Sequence, residues 1–203
     1  MLKLTHLLFL LIIMSLLNAC VGNSKKEVTR YYLIDSVDLT SNTLLTDKKL
    51  AIRINDIKMP QYLERFQIVT RSAENRLRFS EFNQWGEPLR KNLLRTLSQN
   101  LTTILATPDI STPYSPSATK SEYAINISIQ QFEHDIDGHV KLSATWQIKQ
   151  LDSKSINAMK QSNFKSSEQI SGNNYDAIVN NMQKLYADFS VEIANAIYTD
   201  SQK

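Results

Sequence analysis

Two histidines and three carboxylates fall within seven residues of one another in Glu133-His134-Asp135-Ile136-Asp137-Gly138-His139. Imidazole nitrogens and carboxylate oxygens are metal ligands. A metal-dependent hydrolase would therefore be sought here, with His134 and His139 as its weak ligand candidates. The same stretch contains Asp-Gly, a strong signal for a hairpin turn, where polar side chains face water anyway. The solvated turn is the preferred reading, and no metal or other cofactor is expected. The only other histidine is His6. A Ser–His pair would thus have to be built on that one turn. No Gly-x-Ser-x-Gly elbow occurs, and four glycines in the chain leave no glycine-rich phosphate loop. The chain reads as a non-enzyme.

Arginines form the second group. Arg53, Arg65, Arg71, Arg76 and Arg78 are close in sequence. Guanidinium groups suit acidic lipid headgroups or a partner's carboxylates; the plainer reading is a charged sheet edge. A net charge of +3 without a Lys/Arg run argues against nucleic acid.

The third reactive group is the one cysteine, Cys20. Ahead of it, Lys3 gives a positive start, and Leu7 to Leu17 is an uncharged run of eleven residues. A membrane-spanning helix needs roughly 20 apolar residues. The run has the length of a signal-peptide core instead. Leu17-Asn18-Ala19-Cys20 resembles the bacterial lipobox, in which the cysteine is acylated after cleavage. Residues 1–19 are therefore expected to be a lipoprotein signal peptide, 20–29 a polar tether, and 30–203 a single periplasmic domain. Cys20 is the lipidation site, and a lone cysteine leaves no internal disulfide. Val21 and Gly22 follow it, without the Asp that tends to retain such proteins in the inner membrane; by analogy this favours the outer membrane.

Several elements must position these groups. Arg30 to Val37 is rich in aromatic and β-branched residues and reads as a first strand. Leu50, Ile52 and Ile54 alternate with Ala51, Arg53 and Asn55, as in a half-buried strand. Phe66 to Thr70 and Arg76 to Phe79 suggest a hairpin. Trp85, Leu89, Leu93, Leu97, Leu101 and Leu105 then recur every four residues. That is an amphipathic helix, and Pro88 places its start near Gly86 or Glu87. The stretch 107–121 carries three prolines and reads as a surface loop. The order then repeats. Tyr123 to Ile129 and Val140 to Ile148 alternate around the Asp137-Gly138 turn, and Ile156 to about Phe164 makes a third strand. Ile178, Met182, Leu185, Phe189, Ile193 and Ile197 mark a final helix. Trp85 and Trp146 are in phase with these stripes and are expected in the core. The expected fold is an α+β two-layer sandwich: a mostly antiparallel sheet with two amphipathic helices on one face.

One stretch adds a resemblance. Met59-Pro60-Gln61-Tyr62-Leu63-Glu64-Arg65-Phe66-Gln67-Ile68-Val69-Thr70-Arg71 is followed by Phe82-Asn83-Gln84-Trp85-Gly86-Glu87-Pro88-Leu89, and Tyr31-Tyr32-Leu33 follows the lipobox. Together these resemble the PqiC/YmbA family of auxiliary lipoproteins of intermembrane transport systems. Glu64 stands where that family usually has Asp, and Gly86 where Ala is common. The resemblance implies an outer-membrane lipoprotein facing the periplasm and supporting membrane integrity. It would dock a bridging partner with mammalian-cell-entry (MCE) domains, PqiB-like, in a system with a PqiA-like inner-membrane protein. It would help to move lipids or other hydrophobic molecules. A homo-oligomeric ring would suit ringed MCE partners. Pro60, Tyr62, Arg65 and Arg71 are the candidate docking residues. The competing expectation is a structural or assembly lipoprotein of another envelope machine, such as a pilotin, with the same anchor.

Overall fold

The computed structural model describes residues 27–46, 48, 50–117, 119–152 and 157–203. The leader, Cys20, most of the tether and the expected turn at 153–155 lie outside the described residues.

Ten elements follow in order: β1 (Arg30–Tyr32), β2 (Ile52–Lys58), β3 (Gln67–Ala73), β4 (Arg76–Trp85), α1 (Leu89–Ile104), β5 (Ile110–Ser111), β6 (Tyr123–His134), β7 (Val140–Gln150), β8 (Ala158–Lys165) and α2 (Tyr175–Ser201). They build the expected α+β fold around an open mixed sheet. The hairpins β3–β4, β6–β7 and β7–β8 are antiparallel. The sequence-distant pairings are parallel: β1 with β4, and β2 with both β5 and β6. A single parallel bridge, Thr70 to His134, joins the β3–β4 hairpin to the end of β6.

The long strands form where residues alternate. In β7, Val140, Leu142, Ala144, Trp146 and Ile148 are buried, while Lys141, Ser143, Thr145 and Gln147 between them are half-exposed. Ile125, Ile127 and Ile129 of β6 stand opposite Ile148, Trp146 and Ala144. On the other flank Ile54 and Ile57 of β2 stand opposite Ile125 and Ile127. One apolar sheet face results, and both helices cover it. α1 lies on β2, α2 lies on β7 and β8, and the helices pack against each other. Leu93, Leu97, Leu101, Ile178, Phe189, Ile193 and Ile197 are completely buried in a single core with these strands. Such a side chain is stabilised by about 1.5–3 kcal/mol through burial. Trp85 and Trp146 are both in that core.

Boundaries differ from expectation for identifiable reasons. α1 begins at Leu89, because Trp85 still belongs to β4. Its N–H donates to the Phe66 carbonyl at 2.7 Å, and the Gly86 N–H donates to the Tyr32 carbonyl at 2.8 Å. The first strand stops at Tyr32 rather than Val37, since α1 takes over the main chain of Ile34. Asn92 Oδ1 accepts from the Ile34 N–H (2.8 Å), while Asn92 Nδ2 and Thr96 Oγ1 donate to its carbonyl (2.9 and 2.5 Å). The proline-bearing loop contains the two-residue strand β5. α2 starts earlier than its apolar stripe, at Tyr175, where the Asn174 side chain caps it by accepting from the Ala177 N–H at 3.2 Å.

Candidate functional site

The segment Pro60 to Arg71 joins β2 to β3. Pro60 sets a 3-10 turn over Gln61–Glu64, closed by the Leu63 N–H on the Pro60 carbonyl at 3.0 Å. Leu63 is driven into the core at 2 % exposure. Its neighbours Tyr62 and Glu64 then point to different destinations. Glu64 forms an ion pair with Arg90 of α1. Tyr62 turns towards β6, and its hydroxyl donates to Glu133 Oε2 at 3.0 Å.

Glu133 is the centre of the region, with 0 % of its surface exposed. Arg71 donates to its Oε1 from Nε (3.2 Å) and from a terminal nitrogen (2.8 Å). Gln131 Nε2 donates to the same oxygen at 3.1 Å, and the Phe132 N–H donates to Oε2 at 3.0 Å. A buried carboxylate is tolerable only when paired and hydrogen-bonded in this way. Burial, and then the charge of Glu133, push the Tyr62 phenol up, so it remains a proton donor.

The β6–β7 turn continues the network outwards. Lys141 pairs with Asp135 and, at 3.1 Å, with Asp137; Lys165 pairs with Asp137 at 3.0 Å. Burial alone would raise both carboxyls. Hydrogen bonds from Lys141 to Asp135, and from Lys165 and Lys141 to Asp137, outweigh it and hold both below the usual range. Gly138 closes the turn at φ +79°, with Gln169 and the Ile170 carbonyl where a Cβ would lie.

The two histidines are engaged separately. His134 Nε2 faces the Ile170 carbonyl at 3.3 Å, and His139 Nδ1 the Ser166 carbonyl at 2.8 Å. Among the described residues no group of three or more His, Cys, Asp or Glu side chains is placed to hold a metal. The acids of the turn face lysines instead.

Two of the four candidate docking residues, Tyr62 and Arg71, are thus brought together, but on an internal carboxylate. Pro60 shapes the turn. Arg65 is the one left facing outwards: its guanidinium lies over the Phe79 ring, 5.0 Å from the centroid, and makes no ion pair among the described residues. Arg65 and Phe79 line a shallow depression with Gln61, Tyr62 and Glu64. Sequence reasoning missed Phe79, whose exposure depends on its place in β4. It also grouped Glu133 with the turn, because its partner Arg71 is far away along the chain.

Residues 32–194 match the family described as the ABC-type transport auxiliary lipoprotein component. The chain belongs to that family. Within it, the chain is similar to the intermembrane transport lipoprotein PqiC of Escherichia coli K12, at 24% identity over 126 residues. That alignment covers 62% of this chain and 66% of PqiC, just under two thirds of the relative's length. The Shigella flexneri PqiC matches equally. The auxiliary-lipoprotein fold is also seen in a crystal structure of a Xanthomonas campestris protein, with a TM-score of 0.64 at 11% identity, covering 87% of this chain and 95% of that one. A crystal structure of an uncharacterized protein gives the same TM-score at 20% identity, covering 84% and 99%. Among the described residues no helix is long and apolar enough to cross a membrane.

Proposed function

We propose that this auxiliary lipoprotein is held in the outer membrane by acylated Cys20 and faces the periplasm. It serves as a non-enzymatic docking subunit of an MCE-type intermembrane transport system for lipids or other hydrophobic molecules. The family match across residues 32–194 carries this reading. The likeness to PqiC, whose name places it in intermembrane transport, supports the choice of system. Cys20 lies seven positions before Glu27, so an acylated cysteine would keep the domain near its membrane. Three acyl chains, as the lipobox implies, make attachment effectively permanent, because each buried CH₂ contributes about 0.8 kcal/mol.

The docking contact in this reading is Arg65 on its Phe79 platform, with Pro60 fixing the turn beneath it. A guanidinium on an aromatic face fits a partner carboxylate or carbonyl group. Tyr62 and Arg71 act indirectly, by fastening the turn to β6. A closed ring of copies would match a ringed bridging partner.

The test is copurification from intact cells. Arg65→Glu, folded by circular dichroism, is expected to lose the bridging MCE protein and the PqiA-like inner-membrane protein. Undiminished copurification removes Arg65 as the contact. Recovery of a different envelope machine with the wild-type chain replaces the transport reading. Mass spectrometry of the mature N-terminus tests the anchor, and an unacylated thiol or an uncut leader overturns it.

A further inference from the structure

A groove of about 750 Å³ runs between β4 and the N-terminal end of α2. The first described residues of the chain, Glu27 and Val28, form part of its wall, so the tether leaves the domain here. Val28 is 79% exposed and Phe79 37%, and Phe82 of β4 also lines the groove. Tyr31, Leu33 and Phe66 are also exposed on β1, its exit and the residue bonded to Trp85. Of the nine large apolar side chains exposed among the described residues, Val28 and Phe79 line the groove itself, and Tyr31, Leu33 and Phe66 lie towards the Trp85 end of β4. Elsewhere Leu45, Tyr114 and Ile136 stand in separate loops and Met159 on β8.

Resting on the lipid anchor proposed above, we infer that this groove is a second membrane contact, with Val28 and Phe79 seated in the interfacial layer of the leaflet that holds Cys20. Tether length supplies the argument. Seven residues reach at most about 25 Å even when fully extended. The groove mouth is thus kept beside the acyl chains. Aromatic and aliphatic side chains with arginines at their rim have the composition of a membrane interface, because the guanidinium stays with the headgroups while the stem lies along the apolar layer. Arg30 and Arg78 line the groove beside these side chains. Glu27, Glu81 and Asp176 line the same groove, and Asp176 pairs with Arg30 at 3.6 Å. Three carboxylates outnumber two arginines here, so attraction to anionic lipid does not carry the contact, which rests on Val28 and Phe79. Phe79 forms the ridge between this groove and the Arg65 depression. The leaflet-facing and partner-facing surfaces therefore adjoin without coinciding.

The experiment uses the full-length lipoprotein in phosphatidylethanolamine/phosphatidylglycerol vesicles, with Cys20 acylated. A fluorophore is attached at Val28→Cys or Glu81→Cys in the groove, and at Met159→Cys on β8 as reference. Nitroxide-labelled lipid is expected to quench the groove positions about threefold more than position 159. Phe79→Ser should lower that quenching at position 81, while exchange in phosphatidylcholine or in about 0.5 M salt should not. A chain that fails to float with the vesicles overturns the anchor and this contact together. A chain that floats, with groove and reference quenched alike, overturns the contact alone. So does groove quenching that salt abolishes, since arginine attraction to anionic lipid would then account for it.

Discussion

The side-chain amide of Asn92 closes on the main chain of Ile34, accepting from its N–H at 2.8 Å and donating to its carbonyl at 2.9 Å. It does for one residue what a neighbouring strand would do. The segment after β1 thereby leaves the sheet and runs along α1, where the Leu44 N–H next finds the Ile104 carbonyl. Asn92 is 1 % exposed and Ile34 is fully buried, so neither group has water as a substitute.

Asn92→Ala should therefore cost about 2 kcal/mol, the penalty for leaving buried main-chain groups unpaired. Urea denaturation should show a lower midpoint at an unchanged slope. The Ile34 amide should exchange with deuterium faster than the amides of β7. Wild-type protection at Ile34 would refute the clamp.

Glu133→Ala should be among the most damaging single changes in the domain. It strands the Arg71 guanidinium and the Tyr62 hydroxyl in a half-buried setting, and removal of one partner of a buried pair costs about 3 kcal/mol. Glu133→Gln keeps the size and the acceptor oxygen and should cost less, about 1–2 kcal/mol. Thermal melts of the two variants give the order. If alanine and glutamine prove equal, the charge has no role.

Acid should loosen the β6–β7 turn. Asp135 and Asp137 have folded-state carboxyl pKa values below the ordinary aspartate value. The unfolded chain therefore binds more protons in that window, and stability rises with pH there. The contribution is complete above about pH 5 and is lost as pH falls through 4 towards the depressed folded values. Asp137 is exposed enough for solvent and salt to screen much of its share. Lys141→Met should flatten the acid limb of the stability curve. An unchanged limb would exclude these two pairs as its cause.

Gly138→Ala tests the turn by shape. A Cβ there would meet Gln169 Cγ at 2.7 Å, on a backbone at φ +79°. The expected loss is about 1–2 kcal/mol. Gln169→Gly should restore only part of it, because the φ penalty stays. Full rescue in a melting experiment would assign the whole cost to the clash.

The long alternating strands and both helices were legible in the residues because one face of each is dry. Ile125 to Ile129 and Val140 to Ile148 repeat every second position, and Asp137-Gly138 turns the chain between them. What could not be read depends on partners far along the chain. Ser80 to Gln84 are polar apart from Phe82 and become strand through β1 and β3 on either side. Trp85 stands four residues before Leu89, and so imitates the first turn of a helix while ending β4. Ile110 and Ser111 become a strand through β2. The site behaved the same way. Residue type marked Arg65 and Arg71 alike, but only the fold turns Arg71 inwards to Glu133 and leaves Arg65 outside. The Asn92 clamp gave no signal, since a polar residue on an amphipathic helix normally marks its wet side.

The parallel pairing of β2 sets the timetable of folding. Its two neighbours, β5 and β6, are both made after α1, which covers β2 and β5, whereas β7 and β8 gain their cover only with α2, the last element. Contacts so distant in sequence form slowly. A chain cut short before residue 175 has β7 and β8 without the helix that covers them, and is expected not to complete its core. If the leader exports the chain as proposed, the core would close only after the last helix has crossed the membrane.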